Sequence, residues 1–166
     1  FYRMNLLDAF KDHLNKDFPK LKPEHCSFII AVSGGIDSMV LTDLIYKCGF
    51  GFTIAHCNFQ LRGDESTHDE IFVQSLEKKY QQTVYTKKFD TREYAALHKV
   101  SVQEAARELR YAWFNELMNA KVADGINNNH RVFLLTAHHA DDNIETMMMH
   151  FFRGTGIAGL TGIPSF

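Results

Sequence analysis

With 166 residues, 45% of them hydrophobic and 23% charged, the chain has the length and composition of one globular domain that needs no disulfide or metal to fold. Its net charge of −2 argues against a domain that holds nucleic acid by phosphate neutralisation alone. No stretch approaches the roughly 20 apolar residues that cross a bilayer, and no basic-then-apolar leader opens the chain, so the cytoplasm is the expected location.

Residues 4–18 place Leu6, Leu7, Phe10, Leu14 and Phe18 at helical spacing, and Pro19 and Pro23 close that segment. CSFIIAV (26–32) is a near-continuous apolar run with β-branched residues, as expected of a strand buried on both faces. A helical period resumes over 37–47 through Met39, Val40, Leu44 and Ile45 and stops near Gly49. The alternation continues with a strand at 52–59, a helix at 66–80, a strand at 83–89, a short helix at 91–99 and a long helix from 101 to about 123. A strand at 131–138 and a helix at 142–152 complete it.

Strands separated by helices of this length predict right-handed crossovers and an α/β fold, a doubly wound parallel sheet of about five strands with helices on both faces. In such sheets ligands bind beyond the carboxyl ends of the strands. SGGIDS (33–38), HCNF (56–59) and AHHADD (137–142) all fall there, so three polar clusters converge on one rim. INNNH (126–130) reads as a polar loop. The glycine-rich ending RGTGIAGLTGIPSF and a first residue other than Met are expected of a fragment, residues 1–166 forming one truncated domain.

SGGIDS lacks both the lysine of GxxxxGK[ST] and the spacing of GxGxxG, so it is neither the common phosphate loop nor a dinucleotide turn. Two glycines still let backbone approach an oxyanion, the first amides of the following helix point at it, and Ser33 and Ser38 offer hydroxyls. Asp37 would repel phosphate unless a divalent cation lay between them, which points to Mg²⁺ with Asp37 as its ligand. A capped strand-to-helix turn explains a bare SGG equally well; the full six-residue string favours an anion site.

In TAHHADDNIETMMMHFFRGTG (136–156), a helix starting near Asp142 would put Asp142 and Glu145, three apart, on one face at the rim, with Asp141 in support. A D-x-x-E capping box accounts for the same acids, leaving His138 and His139 unexplained. Within 101–114, Arg107 and Arg110 repeat at a spacing of three with Glu104. Either guanidinium could fork onto phosphate, and helix-surface ion pairing is the simpler account of both. Cys26, Cys48 and Cys57 are odd in number and show no CxxC spacing, so buried reduced thiols are expected rather than disulfides or a thiolate metal site.

SGGIDS after a buried strand resembles the signature of the PP-loop, or N-type, ATP pyrophosphatases, which split ATP between its α and β phosphates. Together with HCNFQLRGDES, QEAARELRY, HHADDNIET and RGTGIAGLTGI, from about residue 26 to the end, it is similar to the tRNA(Ile)-lysidine synthase branch of that superfamily. The resemblance implies a ligase that uses ATP and Mg²⁺ to adenylate C2 of the wobble cytidine in an isoleucine tRNA with a CAU anticodon, and then lets free L-lysine displace AMP. Carried onto this sequence, it makes Ser33, Gly34, Gly35, Asp37 and Ser38 the ATP loop and sets Ala31, His56 and Asn58 around adenine and ribose. Arg110 and His138 would contact phosphates or the activated cytidine, and Asp142 and Glu145 would hold and deprotonate lysine. Further tRNA-gripping domains would lie outside this chain; a homodimer is left open. The rival readings are a thiolating tRNA enzyme, which the cysteines do not support, a small-molecule synthetase, and a nucleotide-binding module without catalysis, which would not need the acids or Arg110.

Overall fold

A computed structural model describes residues 5–123, 130–139 and 147–153. The chain runs α1 (Leu6–Asp17), β1 (Cys26–Ala31), α2 (Ile36–Lys47), β2 (Gly51–Asn58), α3 (Asp64–Tyr80), β3 (Val84–Lys88), α4 (Thr91–His98), α5 (Val102–Ala123), β4 (Arg131–His139) and β5 (Met147–Arg153). The strands form one sheet in the order β3-β2-β1-β4-β5. Pairings among the first four are parallel, whereas β5 pairs antiparallel with β4, Leu135 opposite Phe151.

The period-2 alternation of a strand divides the apolar residues between two cores. Phe28, Ile30 and Val32 pack on one face with Phe52, Ile54, Phe133 and Leu135, against Phe10 and Leu14 of α1, Leu41, Leu44 and Ile45 of α2, and Val73, Leu76 and Tyr80 of α3. Ile29, Ala55, Val132 and Leu134 point the other way, onto Trp113, Phe114 and Met118 of α5. The near-continuous apolar character of 26–32 therefore has its cause in two buried faces.

The doubly wound arrangement and its order follow from right-handed crossovers. From β1 the chain steps outward through β2 and β3 with α2 and α3 on one face, then returns through α4 and α5 on the other to place β4 on the far side of β1. The direction of winding reverses between β1 and β4, which opens a crevice beyond their carboxyl ends.

One expectation is corrected. The helix expected over 142–152 is not found where the chain is described, because Met147–Arg153 forms the antiparallel edge strand β5. MMMHFFR is a short apolar run with two aromatic residues, and a run of that length fits a strand and a buried helix turn equally well by pattern. No helix among the described residues is long and apolar enough to cross a membrane.

Candidate functional site

The turn between β1 and α2 is held from within. Gly34 carries φ +96°, the left-handed region that glycine alone enters without strain. A side chain there would bring its Cβ to 3.4 Å of Asp69 Oδ1, so the turn also lies close against α3. The Gly35 N–H donates to Ser33 Oγ at 3.2 Å, the Ser38 hydroxyl donates to the Gly35 carbonyl at 2.9 Å, and the two serine oxygens lie 3.4 Å apart. Below them the buried Thr42 hydroxyl donates to the Ser38 carbonyl at 2.7 Å. Both hydroxyls thus shape the turn itself.

The helix that follows opens without a side-chain cap. At α1 the Asn5 side chain accepts from the Asp8 N–H, and at α4 Asp90 accepts from the Glu93 N–H, whereas at α2 the capping position is Gly35 and no side chain serves it, as is also the case for Gly63 at α3. A strand-to-helix turn with glycines at its apex and an uncapped helix start suits a bound oxyanion.

Asp37 lies in the first turn of α2, half-buried. Among the described residues no group of three or more His, Cys, Asp and Glu side chains is gathered to hold a metal ion. A cation here would rest on Asp37 and on phosphate oxygens, and one or two carboxylates plus substrate phosphates is how Mg²⁺ is commonly bound. The donor set therefore fits Mg²⁺ accompanying a phosphate ligand.

Beside the turn, on the α5 side of the sheet, opens a cleft of about 130 Å³. Its floor is made of small residues, Ala31, Ala55, Cys57 and Thr136, where the strands farther back carry Ile29, Val132 and Leu134. Phe59, Tyr111, Phe114 and Arg110 form its walls, the Arg110 guanidinium 5.2 Å above the Phe59 ring. A shallow apolar floor, aromatic walls and one cation suit a flat ring attached to an anionic group. Burial pushes the Cys57 thiol up to about 12, outweighing the opposite pull of Arg110 and Lys87, so it is a neutral part of this floor at pH 7.

Two buried polar atoms lack partners among the described residues, Thr136 Oγ1 and His56 Nε2. Thr136, 4% exposed, lies in the cleft floor in register with Ala31. His56, 3% exposed, donates its Nδ1–H to the Val32 carbonyl at 2.7 Å, which leaves Nε2 without a bond just under the glycine turn. An orphaned buried polar atom costs about 1–3 kcal/mol, so each marks a place where a ligand or water completes the bonding: Thr136 in this cleft with Ala31, and His56 outside it, in a neighbouring one.

The structure brings Ala31, Ser33, Ser38 and Arg110 together in one cleft, with Gly34, Gly35 and Asp37 in the turn at its edge. Of the two arginines left open by spacing, Arg110 lines the cleft, while Arg107 lies over the Tyr111 ring at 5.9 Å. Asn58 is already engaged: its amide donates to Glu70 Oε2 at 2.6 Å and to the Ser66 carbonyl, and its oxygen accepts from the Gln60 N–H. His138 belongs to the carboxyl end of β4, on the same rim. Asp142, Glu145 and Asp141 lie outside the described residues.

Sequence reasoning did not single out Phe59, Tyr111, Phe114, Thr136, Arg62 or Asp69. For Thr136 a signal existed, a lone hydroxyl ending the apolar run RVFLL. The others meet only through the packing of α3 and α5.

The PP-loop domain family matches residues 6–166. Proteins named tRNA(Ile)-lysidine synthase are similar to the chain. That of Bacteroides thetaiotaomicron is 43% identical over 135 residues, covering 81% of this chain and 30% of that protein. The Porphyromonas gingivalis W83 protein is 42% identical over 136 residues, covering 82% and 28%. The Bacillus subtilis protein is 37% identical over 166 residues, covering 96% and 33%. The chain spans about a third of the length of these relatives. A glycine turn at the reversal point of a doubly wound sheet, and a family match over nearly the whole sequence, lead to one conclusion: the chain belongs to the PP-loop domain family.

Proposed function

We propose that this chain is the ATP-using catalytic domain of a tRNA(Ile)-lysidine synthase, which adenylates C2 of the wobble cytidine in an isoleucine tRNA with a CAU anticodon and joins free L-lysine to that carbon with release of AMP and pyrophosphate. The observation that carries the reading is the Ser33–Ser38 turn, whose uncapped helix start opens directly onto a cleft shaped for a flat ring. On this reading adenine lies on the Ala31, Cys57 and Thr136 floor, and the phosphates lie against Gly34 and Gly35. Mg²⁺ held by Asp37 would neutralise charge on those phosphates.

The chain's own residues then have definite tasks. On this reading Arg110, which lies over the Phe59 ring and lines the same cleft, would stabilise the negative charge of the α-phosphate and of the departing AMP. His138, at the end of β4, would assist there. Lysine's ε-ammonium, with a reference pKa near 10.4, costs about 4–5 kcal/mol to deprotonate at pH 7, so the nucleophile needs a base. Asp142 and Glu145 would bind the ammonium, and one of them would take its proton as nitrogen attacks C2.

The relatives' names support this substrate assignment over thiolation or a small-molecule synthetase, and a raised Cys57 pKa is contrary to what a reactive thiol needs. ATP–pyrophosphate exchange by the whole protein that carries this domain tests the reading. Exchange is expected with isoleucine tRNA present and lysine absent, because adenylation precedes amine attack. ATP binding with no exchange under any combination of tRNA and lysine would instead indicate a nucleotide-binding module.

A further inference from the structure

On the α3 side of the glycine turn lies a second, smaller cleft, lined by His56, Cys57, Asn58, Phe59, Leu61, Arg62, Ser66 and Asp69. Its cation is Arg62, in the loop between β2 and α3. The guanidinium forks onto two carboxylates, Nη1 donating to Glu65 Oε1 and Nη2 to Asp69 Oδ2, each at 2.8 Å. Asp69 is the side chain that a Cβ at Gly34 would meet, so Arg62 stands one side chain away from the turn. The same cleft holds His56, whose buried Nε2 has no partner among the described residues.

This arrangement suits an exchange of partners. Arg62 is 58% exposed, as is usual for ion pairs worth about 0–1 kcal/mol, so releasing it from Glu65 and Asp69 costs little. A phosphate chain arriving at Gly34 meets Asp69 first, which it repels, and Arg62 next, which it attracts more strongly than a single carboxylate does. The backbone of the loop is fixed, the Gln60 N–H donating to Asn58 Oδ1 and the Arg62 N–H to Ser66 Oγ, so the exchange needs only the Arg62 side chain to turn.

We infer that Arg62 is a ligand of the two terminal phosphates of the nucleotide, held in reserve by Glu65 and Asp69 until the triphosphate reaches the glycine turn, and that it then grips the pyrophosphate leaving group. The inference rests on the proposed seating of ATP and adds a residue and a subsite to it. Arg110 and Arg62 divide the substrate between them, the first on the adenylate side of the bond that breaks and the second on the pyrophosphate side.

The test compares ATP with AMP, because the difference in their affinities isolates the terminal phosphates. Dissociation constants of both are measured by calorimetry on the full chain, unaltered and as Arg62→Gln, a substitution at an exposed position that leaves the core intact. ATP affinity of the variant is expected to fall about tenfold or more, the worth of a charged hydrogen bond, with AMP affinity unchanged. Equal weakening of ATP and AMP would show that Arg62 merely braces the loop, and an unchanged ATP affinity would show that it touches no phosphate; either result overturns the inference while leaving the seating of ATP intact. An unaltered chain that binds ATP no more tightly than AMP would overturn the seating as well.

Discussion

Gly34 shows how much of the site depends on a single missing side chain. Alanine at φ +96° carries a backbone cost of about 1–2 kcal/mol, and its Cβ would be in contact with the Asp69 carboxylate. Gly34→Ala is expected to lower the thermal unfolding midpoint by a few degrees and to weaken ATP binding at least as much as stability, both read from melts with and without nucleotide. Thr136→Val should act in the opposite direction on the empty protein. It keeps the β-branched shape, removes a hydroxyl with no partner among the described residues, and is expected to raise the midpoint when no nucleotide is present.

Cys57 gives a pH prediction with a definite sign. Its folded pKa lies near 12 against an ordinary 9.0, so as pH rises above about 9 the unfolded chain releases this proton and the folded one retains it. Stability must then decrease with pH in that range. At pH 8.5 iodoacetamide is expected to leave Cys57 unmodified in the native protein and to alkylate it in urea, as peptide mapping would reveal. Native-state alkylation at a rate near that of a free thiol would contradict the burial that sets the shift.

At the scale of elements, β1 joins the two cores, with Ile30 fully buried on the α2 side and Ile29 nearly so on the α5 side. Ile30→Ala is expected to cost about 2–5 kcal/mol in urea unfolding, followed by fluorescence of the lone Trp113. β1, β4, α1, α2 and α5 are legible in the sequence from their own pattern, a continuous apolar run for doubly covered strands and a 3–4 spacing for the helices, while β3, VYTKK at the sheet edge, is legible mainly from its place in the alternation. Observed and expected boundaries differ by a residue or two, as at α3, where helix begins at Asp64 rather than Ser66. β5 is illegible for a physical reason. Seven residues of Met, His, Phe and Arg have no period long enough to choose between strand and helix, and pairing to β4 decides it.

The whole molecule assembles a site from segments far apart in the chain. The glycine turn is legible because its chemistry is local: two glycines, two hydroxyls and an acid between a buried strand and a helix. Helix spacing leaves Arg110 as one of two candidates, since it does not say which arginine meets the end of β2, and only the resemblance of ARELRY to the family singles it out. The approach of Asp69 to the space beside Gly34 depends on how α3 crosses the sheet, which no local pattern encodes, whereas the pairing of Arg62 with Glu65 and Asp69 is local. Asn58 illustrates the converse: a polar residue at the rim, apt for a ligand by position, is bonded to Glu70, Ser66 and Gln60 and braces the loop that carries Arg62.

The account stands or falls on the joining of an amine to a base at the expense of ATP, with the glycine turn binding nucleotide and the acids of 142 and 145 serving lysine. The most direct measurement is incorporation of labelled L-lysine into an isoleucine tRNA transcript by the whole protein that carries this domain, with ATP, unaltered and as Asp142→Asn, alongside ATP affinity for both. ATP-dependent incorporation that the substitution abolishes, with ATP affinity kept within about twofold, is the expected result, because removing one acid leaves the turn untouched. Incorporation that survives Asp142→Asn, or that never occurs, would contradict it.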